Sequence, residues 1–277
     1  MRIFLAGGTG VLGSRLIPGL VAAGHDVAAT TRRPERRPML GELGAAPVVV
    51  DVYDADRLRD AVTSSAPELI LHELTDLSDM DTDANARLRR EGTANLVAAA
   101  EAAGVQRIIV QSIAWVFPDG TGPATEDEQI IHGSAVEVME QTARRLPHAT
   151  ILRYGMLYGP RTWYAPGGRM ADRVVAGRLP ATPEITNFVH IDDAVAATVS
   201  ALDWPDGTYH IVDDEPAAGT EWLPAFAAAI GAPQPQQAPV AEGARRGRPV
   251  SNAKARAAGW RPVHPTWRDG FGSLTGN

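Results

Sequence analysis

Residues 2–13 read RIFLAGGTGVLG. The first five are strand formers in a nearly unbroken apolar run. The glycines that follow fall at Gly7, Gly10 and Gly13, a G-x-x-G-x-x-G spacing that opens a helical pattern reaching about residue 23. Strand, glycine turn, helix is the arrangement that lets backbone amides and a helix N-terminus approach a pyrophosphate. Pro18 lies inside the helical pattern and is expected to kink it or to take its exposed side.

Further strands are expected at 25–30 (HDVAAT), 47–52 (PVVVDV), 68–72 (ELILH), 107–112 (RIIVQS) and 149–154 (ATILRY). Helical patterns fill the gaps, the longest at 85–104. Strands that are continuous apolar runs and alternate with helices predict an α/β fold, a doubly wound parallel sheet of Rossmann type covered on both faces. Residues 1–155 are expected to form the dinucleotide-binding domain and 156–277 mainly a smaller C-terminal substrate lobe, with some segments returning to the first domain. GMLYGPRTWYAPGG (155–168) reads as a substrate lid, and GAPQPQQAP (231–239) as a surface linker.

The end of the second strand bears on which dinucleotide is held. An NAD site usually has an acid there for the ribose hydroxyls, whereas this chain has Arg32 and Arg33, with no acid until Glu35. NADP(H) is therefore expected over NAD(H). Asp51 and the Val52 backbone, at the end of the third strand, are placed to meet an adenine edge.

Composition removes other classes. The 277 residues are 44% hydrophobic, enough for a sizeable core, and contain no cysteine, which excludes disulfides and thiolate chemistry. A net charge of −7 argues against a nucleic-acid partner. No apolar run approaches the roughly eighteen residues of a membrane span, and no basic leader precedes the first strand, so a cytoplasmic protein with no membrane partner is expected. Of the 26 basic residues only Lys254 is a lysine. No metal site is expected: His190, Asp192 and Asp193 in HIDD read as a helix start, where acids cap.

GGTGVLGSRL, DVYDADRL, EGTANLVAAAEAAGVQRIIVQSIAWVF, LRYGMLYGP, NFVHIDDAVAA, GTYHIVDDE and VSNAKARAAGWRP together resemble the extended short-chain dehydrogenase/reductase family, also called the NAD-dependent epimerase/dehydratase family. The resemblance covers nearly the whole chain. It implies a cofactor shell of Gly7, Thr9, Gly10, Val11, Leu12, Gly13, Arg32, Arg33, Asp51, Val52, Leu74 and Gly155. It also implies a catalytic Ser112, Tyr154 beside the nicotinamide, Asn95 on a helix behind the site, and a homodimer through helices near 85–103 and 134–145.

One signature is missing. The family keeps a tyrosine and, four residues on, a lysine, often with a glutamate four further; the lysine lowers the phenol's pKa so that it can exchange a proton. If Glu140 is that glutamate, the tyrosine position is His132 and the lysine position Val136. No tyrosine lies between Tyr53 and Tyr154, and arginine does not replace a lysine that must share a proton.

Three readings stay open. The first is an atypical NADP(H)-dependent oxidoreductase of a small carbonyl or alcohol, with the proton handled by His132, Tyr154, Tyr158 or water on Ser112. The second is a non-redox isomerase, dehydratase or cyclase whose aromatic loop and Trp115 enclose a small molecule. The third is a protein that senses NADP(H) and signals to a partner.

Overall fold

β1 (Arg2–Ala6) carries Ile3, Phe4 and Leu5 almost wholly buried, so both of its faces are covered. Such a strand belongs in the middle of a parallel sheet. It pairs in parallel with β2 (Asp26–Thr31) on one side and with β4 (Leu69–His72) on the other, Phe4 lying between Ala28 and Ile70. The computed structural model describes residues 1–77 and 81–274.

α1 (Gly13–Ala22) follows the glycine turn and buries Leu16, Ile17 and Leu20 while Pro18 sits exposed. After β2 come α2 (Arg37–Glu42), β3 (Ala46–Val49), α3 (Ala55–Ser65) and β4. The helix read across 85–104 is instead α4 (Thr82–Arg87), a π-turn (Leu88–Gly92) and α5 (Thr93–Ala102). A side chain at Gly92 would stand 2.8 Å from the end of Leu88 and 3.1 Å from that of Val52, so a larger residue in the wide turn would displace both. β5 (Arg107–Ile113), α6 (Ala135–Ala143) and β6 (His148–Tyr154) follow.

Beyond them lie β7 (Met156–Tyr158), α7 (Arg169–Val175), β8 (Ile185–Thr186), β9 (Phe188–His190), α8 (Ile191–Ser200) and β10 (Gly207–Ile211). The chain ends with β11 (Ala217–Ala218), α9 (Gly219–Ala229), α10 (Ala253–Ala257) and α11 (Trp267–Gly272). The central sheet has seven parallel strands in the order β10-β6-β5-β4-β1-β2-β3. The chain reverses direction across the sheet between β1 and β4, the crevice where doubly wound folds hold dinucleotides.

Two compact units share the chain. The first comprises Met1–Ser112, His132–Leu152 and Thr198–Thr208; the second comprises Ile113–Ile131, Arg153–Ala197 and Tyr209–Asn277. In the second unit, the segment read as a lid is core. Met156–Tyr158 pairs with Phe188–His190, and Tyr158 and Tyr164 are buried among Phe188, Trp222, Trp267 and Phe271. Its aromatics were expected to close over a ligand; they pack against one another instead, edge to face. No helix among the described residues is long and apolar enough to cross a membrane.

Candidate active site

In the first unit the glycine turn is built by backbone contact. Gly7 has φ +99°, a conformation glycine adopts without strain, and its N–H donates to Thr30 Oγ1 at 3.0 Å. Gly10 N–H donates to the Gly7 carbonyl at 3.0 Å, and a side chain on Gly13 would stand 2.2 Å from that same oxygen. Helix α1 thus begins hard against the turn. No side chain caps it and no acid lies in its first turn, so its N-terminal amides and positive dipole end remain for an anion. Thr9 is half-buried while Gly10 and Val11 are exposed on this cradle, and Leu12 is buried beneath. These residues fit a pyrophosphate.

Arg32 and Arg33 follow β2 as expected, but an acid does compete. Asp76, from the loop after β4, sits 3.3 Å from Arg32, and its place 44 positions further along the chain hid it. Arg33 has no carboxylate partner among the described residues. Asp51 accepts the Tyr53 N–H, and Asn95 on α5 donates to the Val52 carbonyl at 3.0 Å, fixing the end of the β3 segment. Asn95 is therefore a brace.

The segment leaving β4 runs against the turn: a side chain on Gly7 would meet the Glu73 carbonyl at 2.7 Å and Leu74 N at 3.1 Å. His72 Nδ1 accepts the Leu74 N–H, so its Nε2 carries the proton and donates to Thr93 Oγ1 at 2.8 Å. Burial pushes the imidazole down to about 4, keeping it neutral. Glu73 is 4% exposed, and neither carboxyl oxygen has a hydrogen-bond partner among the described residues. Burial alone pushes it up to about 8, so the acid is protonated at neutral pH. Sequence reading passed over Glu73, because a glutamate at a strand end ordinarily reaches solvent.

Ser112 is occupied. It is 1% exposed and donates to Glu140 Oε1 of α6 at 2.7 Å; Arg144 adds an ion pair to Glu140 at 3.5 Å. The hydroxyl expected on substrate ties a strand to a helix, because alternation turned it to that face of the sheet. Ser112→Ala is expected to cost about 1–3 kcal/mol of stability by leaving Glu140 under-satisfied, read as a shifted urea midpoint; a loss of turnover with no stability change would restore the catalytic role. His132 has its side chain 97% exposed, 3.3 Å from Glu137, and faces water rather than a site.

In the second unit Tyr154 is buried, and its carbonyl accepts the Ala114 N–H at 2.8 Å. Gly155 lets this strand end lie against Asn187 and Phe188, whose backbones would stand 2.7–2.8 Å from any side chain there. Tyr158 is buried and its phenol is pushed far up, chiefly by that burial, so it is no proton shuttle near neutral pH. His190, Asp193 and His264 come together, but both Asp193 oxygens already accept backbone N–H groups, from Val263 at 2.7 Å and His264 at 2.9 Å.

The same unit holds a cavity of about 340 Å³ walled by Trp115, Phe117, Met156 and Ile185. Arg245 and Arg248 line it too. Arg248 is neutralised by Glu128 at 2.7 Å, whereas among the described residues the Arg245 guanidinium donates to the carbonyls of Trp115 and Phe117 and meets no carboxylate. Its charge is left for an anion. Within ARRGRP (244–249) nothing sets Arg245 apart from its neighbours.

Comparison with known proteins agrees with this architecture. The chain is 39% identical over 307 aligned positions to a Streptomyces 3-diazoavenalumate denitrifying reductase, covering 98% of this chain and 99% of the relative. It is 27% identical to the 2-alkyl-3-oxoalkanoate reductase of Stenotrophomonas maltophilia, covering 86% and 78% of the two chains. The solved UDP-glucose 4-epimerase of Thermus thermophilus in complex with NAD superposes with a TM-score of 0.81 at 26% identity, covering 100% and 99%. A nicotinamide dinucleotide is the cofactor this fold holds, and the cradle around Gly7 and Gly13 is shaped for one. The profile of the NAD dependent epimerase/dehydratase family matches residues 3–212, and the chain belongs to that family as an enzyme of oxidoreductase type.

Proposed function

We propose that this protein is an NADP(H)-dependent reductase whose hydride acceptor is the diazo group of an aromatic carboxylate. The observation that carries the reading is a retained dinucleotide cradle beside a dismantled proton relay: His132 in water, Val136 buried, Ser112 bound to Glu140. Reducing a carbonyl takes a hydride at carbon and a proton at oxygen, which is why the family keeps its tyrosine and lysine. Reducing an arenediazonium differs: ArN₂⁺ + H⁻ gives ArH + N₂, with no net proton consumed. When bound, the cofactor supplies that hydride. A chain with no acid in the usual place is suited to the second reaction, and the name of the Streptomyces relative, a denitrifying reductase of a diazo compound, describes chemistry of that kind.

The chain's own residues have the remaining tasks. The amides from Val11 to Gly13 hold the pyrophosphate, and Arg33, free of a carboxylate among the described residues, takes the 2′-phosphate with Arg32. Trp115 and Phe117 supply apolar walls for an aromatic ring, and the uncompensated Arg245 supplies a partner for its carboxylate. Orientation and exclusion of water are what these groups contribute.

The test is NADPH consumption at 340 nm with an arenediazonium carboxylate, corrected for the enzyme-free rate, with N₂ and arene measured in parallel. The expected result is one N₂ and one arene per NADPH, with NADH at least about tenfold poorer in kcat/KM because it lacks the 2′-phosphate. Carbonyl reduction is a second reading, favoured by the similarity to an oxoalkanoate reductase. NADPH consumption with the matching aryl ketone and none with the diazonium would replace the first reading by it. Turnover without any nicotinamide absorbance change would overturn both.

A further inference from the structure

The cavity of the second unit carries a second charge besides Arg245, of opposite sign. Glu184, half-buried just before β8, lines the same wall, and every residue of that wall lies within the one unit. The other polar side chains there already have partners. Arg248 is paired with Glu128, and the Asn187 side chain donates to the Arg248 carbonyl at 2.9 Å and accepts the Val250 N–H at 3.0 Å. Thr186 Oγ1 accepts the Trp222 indole N–H at 3.1 Å. Glu184 accepts one hydrogen bond, from the Thr182 hydroxyl to Oε2 at 3.3 Å, and meets no cation among the described residues. The loop carrying Arg245 is pinned beside it. The Ile185 N–H donates to the Arg246 carbonyl at 2.8 Å, and the Arg246 N–H donates to the Asp119 carboxylate at 3.1 Å. Even so, no ion pair joins Glu184 to Arg245, whose guanidinium is turned to the carbonyls of Trp115 and Phe117.

Two separated charges in a cavity with apolar walls make a selective device. A simple anion is drawn to Arg245 and repelled by Glu184. An uncharged ring strips water from both and compensates neither. A ring with a carboxylate at one edge and a cationic substituent at another satisfies both charges, with Trp115 and Phe117 against its faces. We propose that Glu184 is a specificity-determining residue, the counter-ion of a positively charged ring substituent, so that this cavity takes aromatic inner salts with their carboxylate on Arg245.

An arenediazonium carboxylate is such an inner salt. Glu184 therefore favours it over a ketone of the same outline, which brings no positive charge. The same residue bears on release: loss of N₂ removes the cation, and the arene carboxylate left behind has an unanswered Glu184 beside it. The inference rests on the reading of this cavity as the substrate site.

Two unreactive ligands of one shape, meta-trimethylammoniobenzoate and meta-tert-butylbenzoate, differ only in that positive charge. Isothermal titration of the full chain with each, at low ionic strength and without cofactor, reads the ratio of their Kd values independently of turnover. The ammonium compound is expected to bind at least about tenfold more tightly, and the preference should shrink as salt is added. In Glu184→Gln the ratio is expected to fall to within about threefold of unity; the Trp115 ring, which also attracts cations, stays in place and shows its own share. Glu184→Lys should instead favour isophthalate, a dicarboxylate of similar outline, over the tert-butyl compound. Arg245→Gln should weaken both benzoates alike and leave their ratio standing. Equal binding by the unmodified protein, or a preference that survives in Glu184→Gln, overturns the inference and leaves the cavity as a site for aromatic carboxylates. Binding of neither compound overturns both.

Discussion

Glu73→Leu is expected to raise the thermal stability of the cofactor-free protein, and to raise it more at pH 8 than at pH 5. Glu73 holds its proton more tightly folded, at about 8, than unfolded, at the ordinary 4.5. Its contribution is therefore at its best below about pH 4.5 and is lost as pH rises toward 8, because over that interval the unfolded chain has already given up the proton. The slope approaches about 1.4 kcal/mol per pH unit, so the total is on the order of 3–5 kcal/mol. Leucine fills a comparable volume and has no proton to lose. At pH 5 it relieves only the cost of an unpartnered neutral acid, about 1–3 kcal/mol. Asp213, buried in the second unit and raised by burial to about 8, keeps a slope of the same sign in the variant, so the pH dependence should shrink rather than vanish. Calorimetric melting at pH 5, 6.5 and 8 reads this directly. A gain that is the same at all three pH values would show that Glu73 is ionised or paired in the folded protein.

Gly13→Ala is expected to abolish nucleotide binding. The added methyl would stand 2.2 Å from the Gly7 carbonyl oxygen and 2.9 Å from the Gly8 Cα, and both obstacles are backbone. No rotamer change relieves such a clash; α1 has to move away from the turn, taking its N-terminal amides from the phosphate position. Overpacking of this kind costs about 1–3 kcal/mol or more in stability, and NADPH affinity should fall at least about a hundredfold, since the amides act only at hydrogen-bond distance. Gly19→Ala, on the same helix with nothing within 4 Å, is the matched control and should be neutral or slightly stabilising. Tight NADPH binding by Gly13→Ala would place the cofactor elsewhere.

The glycine turn and the central strands were legible because their signals are local. A strand buried on both faces must be apolar throughout, and a turn this tight must be glycine; neither depends on distant residues. The misreadings share the opposite cause. Ser112 lies at the end of β5 as expected, but which face its hydroxyl takes is decided by Glu140, 28 residues away. Arg32 looked free because Asp76 approaches from another strand's loop. The Gly- and Pro-rich stretch after β6 carried loop composition, yet Phe188, Trp222 and Phe271 supply the partners that make Tyr158 and Tyr164 core residues. Glu73 left no trace in the sequence at all: burial of an acid is a property of what surrounds it.

The aromatic cluster of the second unit also sets the order in which a newly made chain can mature. Tyr158 and Tyr164 emerge first, while Trp267 and Phe271, which pack against the same core, follow about a hundred residues later. At about 5–20 residues per second, the first aromatics wait several seconds or longer for their partners. Strands β1 to β5 and the helices between them precede all four of these aromatics. A growing chain therefore presents a largely formed nucleotide half while the other half still shows bare rings, and protection by a chaperone is needed most during that interval.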